Sequence, residues 1–289
     1  MSEFVQPRSK RTTPCMAKLA RLGWPAGIAF RAYGLSLGVR VSDPAVLERV
    51  QRHLPYGWKP AKRPGVDHMF SLAIASGAAE QETGGPRRWT TMRRFHAAYS
   101  EAHRMVRTTD LDELFDTFES GVRMLVAEFA TDRVFVHAGV VAWRDRAILI
   151  PGRTYCGKTS LVAEFVRAGA TYYSDEYAVL DSQGRVHPFI KPLSLREGDD
   201  GRQTHYGVEA FGGVAGTRPV PVGCVVVTQY RQGARWAPKP LSAGRTALSM
   251  FENTVSARRV PEIALDAVRR AAADAKGIKS ERGEAAEVV

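Results

Sequence analysis

Eight residues near the middle of the chain leave little freedom to what surrounds them. Positions 152–159 read Gly152-Arg153-Thr154-Tyr155-Cys156-Gly157-Lys158-Thr159, a full match to GxxxxGK[ST]. The apolar run RAILIP leads in and SLVAEFVRAG leads out, so a strand should enter the loop and a helix leave it. Gly152 and Gly157 permit backbone conformations closed to residues with side chains, which lets successive N–H groups turn inward. The helix beginning at the end of the loop adds its dipole and free donors. A loop of this kind cradles phosphates, and its expected nucleotide contacts are Gly152, Arg153, Thr154, Tyr155, Cys156, Gly157, Lys158, Thr159 and Ser160. Lys158 would bridge the β- and γ-phosphates as a point charge, and the Thr159 hydroxyl would ligate magnesium. ATP and Mg²⁺ are therefore the expected ligands. The bland alternative, a glycine turn with a surface lysine, must ignore both flanks.

A pair of acids belongs with the loop. Asp175 and Glu176 interrupt the β-rich segment ATYYSDEYAVLD, seventeen residues beyond Lys158. In a strand–loop–helix–strand unit that spacing returns the chain beside the loop. One acid would hold magnesium and the other accept a proton from an attacking hydroxyl. Metal contacts are thus expected from Thr159, Asp175 and Glu176. His137 lies within VFVHAGVVAW, on the strand before the loop's own strand. It reads either as a core histidine or as a group that orients the base or touches the γ-phosphate. Lys191 and Arg196 in KPLSLR are either solvated cations or contacts to phosphate oxygens.

The rest of the chain supplies the frame. Residues 1–30 open basic and polar and read as a loose tail. In GLSLGVRVS, Leu35, Leu37, Val39 and Val41 alternate with small or polar residues, a half-buried strand. Ser42-Asp43-Pro44 then caps a short helix carrying Val46, Leu47, Val50 and Leu54. A second strand holds Phe70, Leu72 and Ile74. A Gly-rich surface loop at 76–88 follows, and β structure resumes around Trp89 or Met105 and Val106. Residues 31–108 therefore read as a small α+β module. Asp110 opens the strongest helix, with Leu111, Leu114, Phe115, Phe118, Val122, Leu125 and Phe129 forming one apolar stripe. We take residues 109–289 as the second domain, with PVGCVVVTQY a buried strand and VPEIALDAVRRAAADAKG a terminal helix. Residues 197–219 are Gly-rich and without periodicity, which suggests a lid.

Composition narrows the class. The 289 residues are 44% hydrophobic, enough for a core. No apolar run approaches the roughly 18–20 residues of a membrane span, and MSEFVQPRSKRTTP has no secretory apolar stretch. Cys15, Cys156 and Cys224 stand at unrelated spacings, so neither a disulfide framework nor a CxxC knuckle forms. A cytoplasmic protein without a membrane partner is the expectation. The net charge of +11 attracts anions. Nucleic acid is not the expected partner, because the pairs Arg87-Arg88, Arg93-Arg94, Arg258-Arg259 and Arg269-Arg270 are scattered and no recognition signature accompanies them.

Four pieces, VFVHAGVVAW, ILIPGRTYCGKTSLVAEFVRAGA, TYYSDEYAVLD and HPFIKPLSLR, together resemble the catalytic domain of bacterial HPr kinase/phosphorylase, and more closely its diverged HPr kinase-related relatives. The resemblance spans roughly residues 110–289. It implies an α/β fold with a mixed sheet, a P-loop domain of the type shared with phosphoenolpyruvate carboxykinase, behind the small N-terminal module. By the same resemblance His137 matches the histidine beside the catalytic acid, Lys158 the phosphate lysine, Thr159 the magnesium hydroxyl and Asp175 the base. Glu176 stands where the family has a second aspartate. The glycine-rich signature that follows the paired acids in true HPr kinases is not found, so neither HPr as substrate nor phosphorolysis is implied. The implied activity is ATP-dependent transfer of the γ-phosphoryl group to a hydroxyl, a serine of a peptide or small protein, including biosynthetic precursor peptides. Hexamers in the parent family make a homo-oligomer an expectation. Two alternatives stay open: a non-catalytic ATP-binding switch and a small-molecule kinase.

Overall fold

The computed structural model describes residues 6–7, 19–21, 23–61, 65–75, 95–152, 157–197 and 202–289. The protein is mixed α/β and divides into two compact units, Met1–Ala130 and Thr131–Val289. Among the described residues no helix is long and apolar enough to cross a membrane.

In the first unit, β1 (Ala26–Ala32) and β2 (Leu35–Val41) form an antiparallel hairpin turned at Tyr33 and Gly34, both with positive φ. The Asp43 carboxylate accepts a bond from the Ala45 amide and starts the turn into α1 (Leu47–Arg52). Strand β3 (His68–Ala73) then returns parallel to β2, and β4 (His96–Ser100) and β5 (His103–Thr108) follow as a meander. The sheet order is Lys59–Pro60, β1, β2, β3, β4, β5. Helix α2 (Leu111–Phe129) is capped by Asp110 and buries Leu114, Phe115, Phe118, Val122 and Val126. Phe118 meets Phe70 of β3 edge to face at 5.6 Å. The stripe is thus satisfied inside the first unit, and the boundary falls after this helix rather than at residue 109. The reading of residues 1–30 as tail also fails at its end. Phe30 of β1 is fully buried, Leu19 is buried, and the Trp24 indole donates to the Leu19 carbonyl at 2.8 Å. Residues 1–5, 8–18 and 76–94, which hold the rest of that tail, the Gly-rich loop and Trp89, lie outside the described residues.

The second unit is built on β6 (Val134–Trp143) and β7 (Arg146–Pro151), an antiparallel pair with Pro151 opposite Ala138. Helix α3 (Lys158–Arg167) follows the loop, then β8 (Thr171–Ser174) and β9 (Tyr177–Leu180), both antiparallel to β6 on its other edge. The unit β7–loop–α3–β8 is therefore a crossover between strands that run the same way, with β6 inserted between them. Further elements are β10 (Val186–His187), the hairpin β11 (Leu193–Glu197) and β12 (Arg202–Tyr206), β13 (Val222–Tyr230) and β14 (Lys239–Leu241). Helices α4 (Ala243–Phe251) and α5 (Pro261–Ala272) precede the last strand, β15 (Lys276–Arg282). The sheet runs β10-β9-β6-β7-β13-β15-β14, with β8 also on β6.

Period two along β6 divides its side chains between the faces. Val134, Val136, Ala138, Val140 and Ala142 pack in the core with Met250 of α4 and Val268 and Ala271 of α5. Val141 packs on the opposite face with Leu161, Val162 and Val166 of α3. His137 and Gly139 share that second face by register. Two expectations change here. Residues 202–211, within the segment expected to lack structure, are ordered into elements: β12 pairs with β11, and Val208 and Phe211 of the following 3₁₀ turn are buried against α3, while residues 198–201 lie outside the described residues. Nor does the chain end on α5, because β15 runs parallel to β13 inside the sheet.

Gly139 sets how closely α3 lies on β6. A Cβ there would come 2.6 Å from Val162 Cγ2 and 3.6 Å from Lys158 Cβ. Gly139→Ala is expected to lower unfolding free energy by about 1–3 kcal/mol. Val162→Ala in the same chain should restore part of that loss, a non-additivity that urea denaturation of the two single variants and the double variant measures.

Candidate functional site

Two backbone hydrogen bonds on opposite edges of β6 bring the predicted pieces together. On one edge the Gly152 amide donates to the His137 carbonyl at 3.2 Å, where β7 ends and the loop begins. On the other the Ala138 amide donates to the Glu176 carbonyl at 3.1 Å, where β8 breaks into β9. The carboxyl ends of β7 and β8 thus open side by side, the position where open α/β sheets bind ligands. The acid pair sits in a turn because the Ser174 hydroxyl accepts bonds from the Glu176 and Tyr177 amides, at 3.1 and 3.0 Å.

Of the loop itself, Arg153, Thr154, Tyr155 and Cys156 lie outside the described residues; Gly152, Gly157, Lys158, Thr159 and Ser160 are described. Gly157 is the N-cap of α3 with φ 79° and ψ 22°, the left-handed conformation its residue type allows. Lys158 is buried to 9% exposure, and its ammonium donates across the loop to the Gly152 carbonyl at 2.9 Å. The Thr159 hydroxyl donates to Asp175 Oδ2 at 3.3 Å. The predicted hydroxyl and acid are therefore in contact, while the ammonium of the neighbouring Lys158 is bonded to the loop's first glycine.

Asp175 is the electrostatic centre. Its side chain is 2% exposed, and a carboxylate so placed needs donors. Thr159 supplies one, the Ser194 amide reaches Oδ2 at 3.4 Å, and the Lys191 ammonium lies 3.4 Å from Oδ1. The Tyr172 hydroxyl, donating to the Lys191 carbonyl at 2.9 Å, stands 3.3 Å from Oδ1. Burial first, then the Asp175 charge, push the Tyr172 phenol far above its ordinary value, so it stays a donor. Glu176 points toward the same cation, with Oε2 3.5 Å from Lys191 Nζ. Lys191 therefore faces the acids, a contact that spacing alone did not disclose. Arg196 is on β11 opposite Gln203; its side chain is outside the described residues.

His137 lies on the face of β6 that carries α3. Its ring leans on Tyr177, centroid to centroid 4.7 Å. Burial pushes its imidazole below the ordinary value, the Glu176 charge pulls it back up, and Lys158 pushes it further down. The carboxylate acting on it is thus Glu176, where the expected partner was Asp175.

Sequence reasoning missed Arg282. This arginine of β15 is 2% exposed, and its guanidinium donates to the Gly157 carbonyl at 2.8 Å and to the Gly283 carbonyl at 3.0 Å. A Cβ on Gly157 would collide with the same guanidinium. Arg282 thus pins the point where loop becomes helix. The only available signal was a charged residue ending a short segment near the terminus.

The residues fit a magnesium ion. Mg²⁺ usually takes one or two protein oxygens, with water and phosphate filling the rest of an octahedron whose neighbouring ligands stand about 2.9 Å apart. Thr159 Oγ1 and Asp175 Oδ2, at 3.3 Å, are close to that spacing. Among the described residues no cluster of three His, Cys, Asp or Glu side chains gathers, so the protein would offer a shared site rather than a closed cage.

Two outcomes follow. Arg282→Met should lower unfolding free energy by about 1.5–3 kcal/mol, the usual worth of bonds to a charged donor, read by urea denaturation. The His137 imidazole should titrate below about 6.5 by NMR, and lower still in Glu176→Gln, which removes the charge holding it up. Since the folded imidazole takes its proton less readily than the unfolded one, this group withdraws stability as pH falls below about 6.5.

No protein-family model matches the chain, and no curated protein matches it.

Proposed function

We propose that the protein is a magnesium-dependent phosphotransferase that moves the γ-phosphoryl group of ATP to a hydroxyl, on a P-loop domain of the HPr kinase type. The observation that carries the reading is the 3.3 Å contact between Asp175 Oδ2 and Thr159 Oγ1, one residue after Lys158, whose ammonium is bonded to the Gly152 carbonyl. It joins the residue expected to hold the metal to the residue expected to handle the proton. Magnesium, when bound, would neutralise phosphate charge; Thr159 and the Oδ2 side of Asp175 would hold it, which leaves Oδ1 to take the proton.

The chain's own groups divide the remaining work. Lys158, now bonded to the Gly152 carbonyl, is positioned to exchange that neutral acceptor for phosphate oxygens. The ten-residue helix α3 aims its N-terminus at the same place. The acceptor oxygen forms its bond to the γ-phosphorus as the bond to the bridging oxygen breaks, ADP leaves, and the hydroxyl proton passes to Asp175. Tyr172 and the Ser194 amide keep the Asp175 carboxylate oriented. His137, whose imidazole burial holds below its ordinary value, lies within the field of the Glu176 carboxylate. A peptide or small-protein serine as acceptor, and a homo-oligomeric state, rest on the sequence resemblance.

The basic surface gives nucleic acid little added support, since Arg269 and Arg270 both bond the Asp266 carboxylate at 2.9 Å. A second reading is favoured by one contact. Lys191 lies within 3.5 Å of both acids, a built-in counter-ion that suits a nucleotide-binding switch without transfer.

The test is turnover. With Mg-ATP and a panel of serine peptides, the wild type should release ADP and yield phosphopeptide. Asp175→Asn should lower that rate by about 10²–10⁴ while still binding nucleotide, and Lys158→Ala should lose both binding and transfer. Calorimetric binding with no ADP in any preparation would select the switch; unchanged turnover in both variants would remove the phosphotransferase.

A further inference from the structure

A nucleophile–base pair stands at the rim of this site. Ser194 and His205 are cross-strand partners in the β11–β12 hairpin. Leu193 and Leu195 on either side of Ser194 turn into the core under α3, so Ser194 faces the other way. There its hydroxyl bonds His205 Nδ1 at 2.9 Å, on an exposed surface. For Nδ1 to accept from that hydroxyl the ring proton must sit on Nε2, which leaves Nδ1 as a base. Hydroxyl and imidazole within hydrogen-bond reach are the elements of an activated nucleophile. What separates this pair from a simple hairpin contact is where its backbone is tied. The Ser194 amide donates to Asp175 Oδ2 at 3.4 Å, and the same oxygen accepts from Thr159 at the start of the phosphate-loop helix.

We propose that Ser194 is a phosphoryl acceptor of the chain's own site, a self-modification position served by His205 as base. The proposal rests on the nucleotide reading above. In the step, Ser194 Oγ forms its bond to the γ-phosphorus of a nucleoside triphosphate, and the bond to the β,γ-bridging oxygen breaks. The nucleoside diphosphate leaves with that oxygen, and the hydroxyl proton goes to His205 Nδ1. The exposed imidazolium then returns it to water. The acceptor belongs to the same chain as the loop, so the reaction is first order in protein. Phosphoserine there would set a dianion beside Asp175 and close to Lys191, changing the charge balance that now holds the acid pair.

The full chain is incubated with Mg-ATP labelled at the γ-phosphorus and followed by intact mass and phosphopeptide mapping, with nucleotide uptake measured by calorimetry on the same preparations. The expected result is one added phosphate per chain on Ser194, at a rate constant unchanged by tenfold dilution. Ser194→Ala and Lys158→Ala should carry no label at that peptide, and His205→Gln should be slowed by about 10²-fold or more while binding nucleotide normally. Nucleotide uptake with no phosphate on Ser194, equal labelling in His205→Gln, or a rate that falls with dilution overturns this proposal alone. Absence of nucleotide uptake by the wild type overturns it together with the site reading beneath it.

Discussion

Two hydrogen bonds from neighbouring residues of one strand, to Gly152 on one edge and Glu176 on the other, fix the distance between the loop and the acids. Everything chemical in the second unit is measured from that point. Because adjacent backbone groups of a strand point to opposite edges, His137 can hold the loop while Ala138 holds the acid turn. The closing of His137 is completed by its own amide, which donates to the Asn253 carbonyl at 2.8 Å. A strand buried on both faces and bonded on both edges is a stiff ruler, which is what a site needing sub-ångström placement requires.

The charge arrangement follows from that geometry. Bringing Asp175 to the ends of β7 and β8 buries it, and an isolated buried carboxylate would be strongly unfavourable. The fold answers with a hydroxyl from α3, an amide from β11, a phenol from β8 and an ammonium from the segment before β11. None of these belongs to the first unit, so the whole arrangement is internal to Thr131–Val289. Lys191 carries the positive charge that offsets the pair, and Arg282 does the mechanical work at the other end of the loop by filling two carbonyls. Both cations are on segments that follow the acids in the chain, so the loop motif is completed from outside itself.

What was legible in the sequence and what was not divide along a physical line. The strand that ends at Pro151 and the helix that starts at Lys158 were readable because apolar runs and a glycine start signal act locally; residues 153–156 between them lie outside the described residues. The acid pair was readable because the crossover length is nearly fixed. Helix α2 was readable as a helix, yet its membership in the first unit was not, since an apolar stripe does not name the surface it covers. Strand β15 was missed because its buried positions are Gly277, Ser280 and Arg282 rather than aliphatic residues. Gly277 is small because a Cβ there would run into Thr246, and Ser280 is spent on the Ala237 amide. Strand β1 was missed because Gly27 and Ala29 blur its alternation, and the β11–β12 hairpin because five polar residues, RQTHY, carry no periodic apolar signal. In each case the deciding contact is long-range, and composition in a short window does not record it.

The central claim is that loop and acids form one nucleotide site at the ends of β7 and β8. A titration with Mn²⁺ and a non-hydrolysable ATP analogue, followed by paramagnetic broadening of backbone amide resonances, reads the metal's position directly. The account predicts the strongest broadening at Gly157–Thr159, Asp175 and Ser194. Broadening centred elsewhere in the chain, or none at saturating nucleotide, would contradict it.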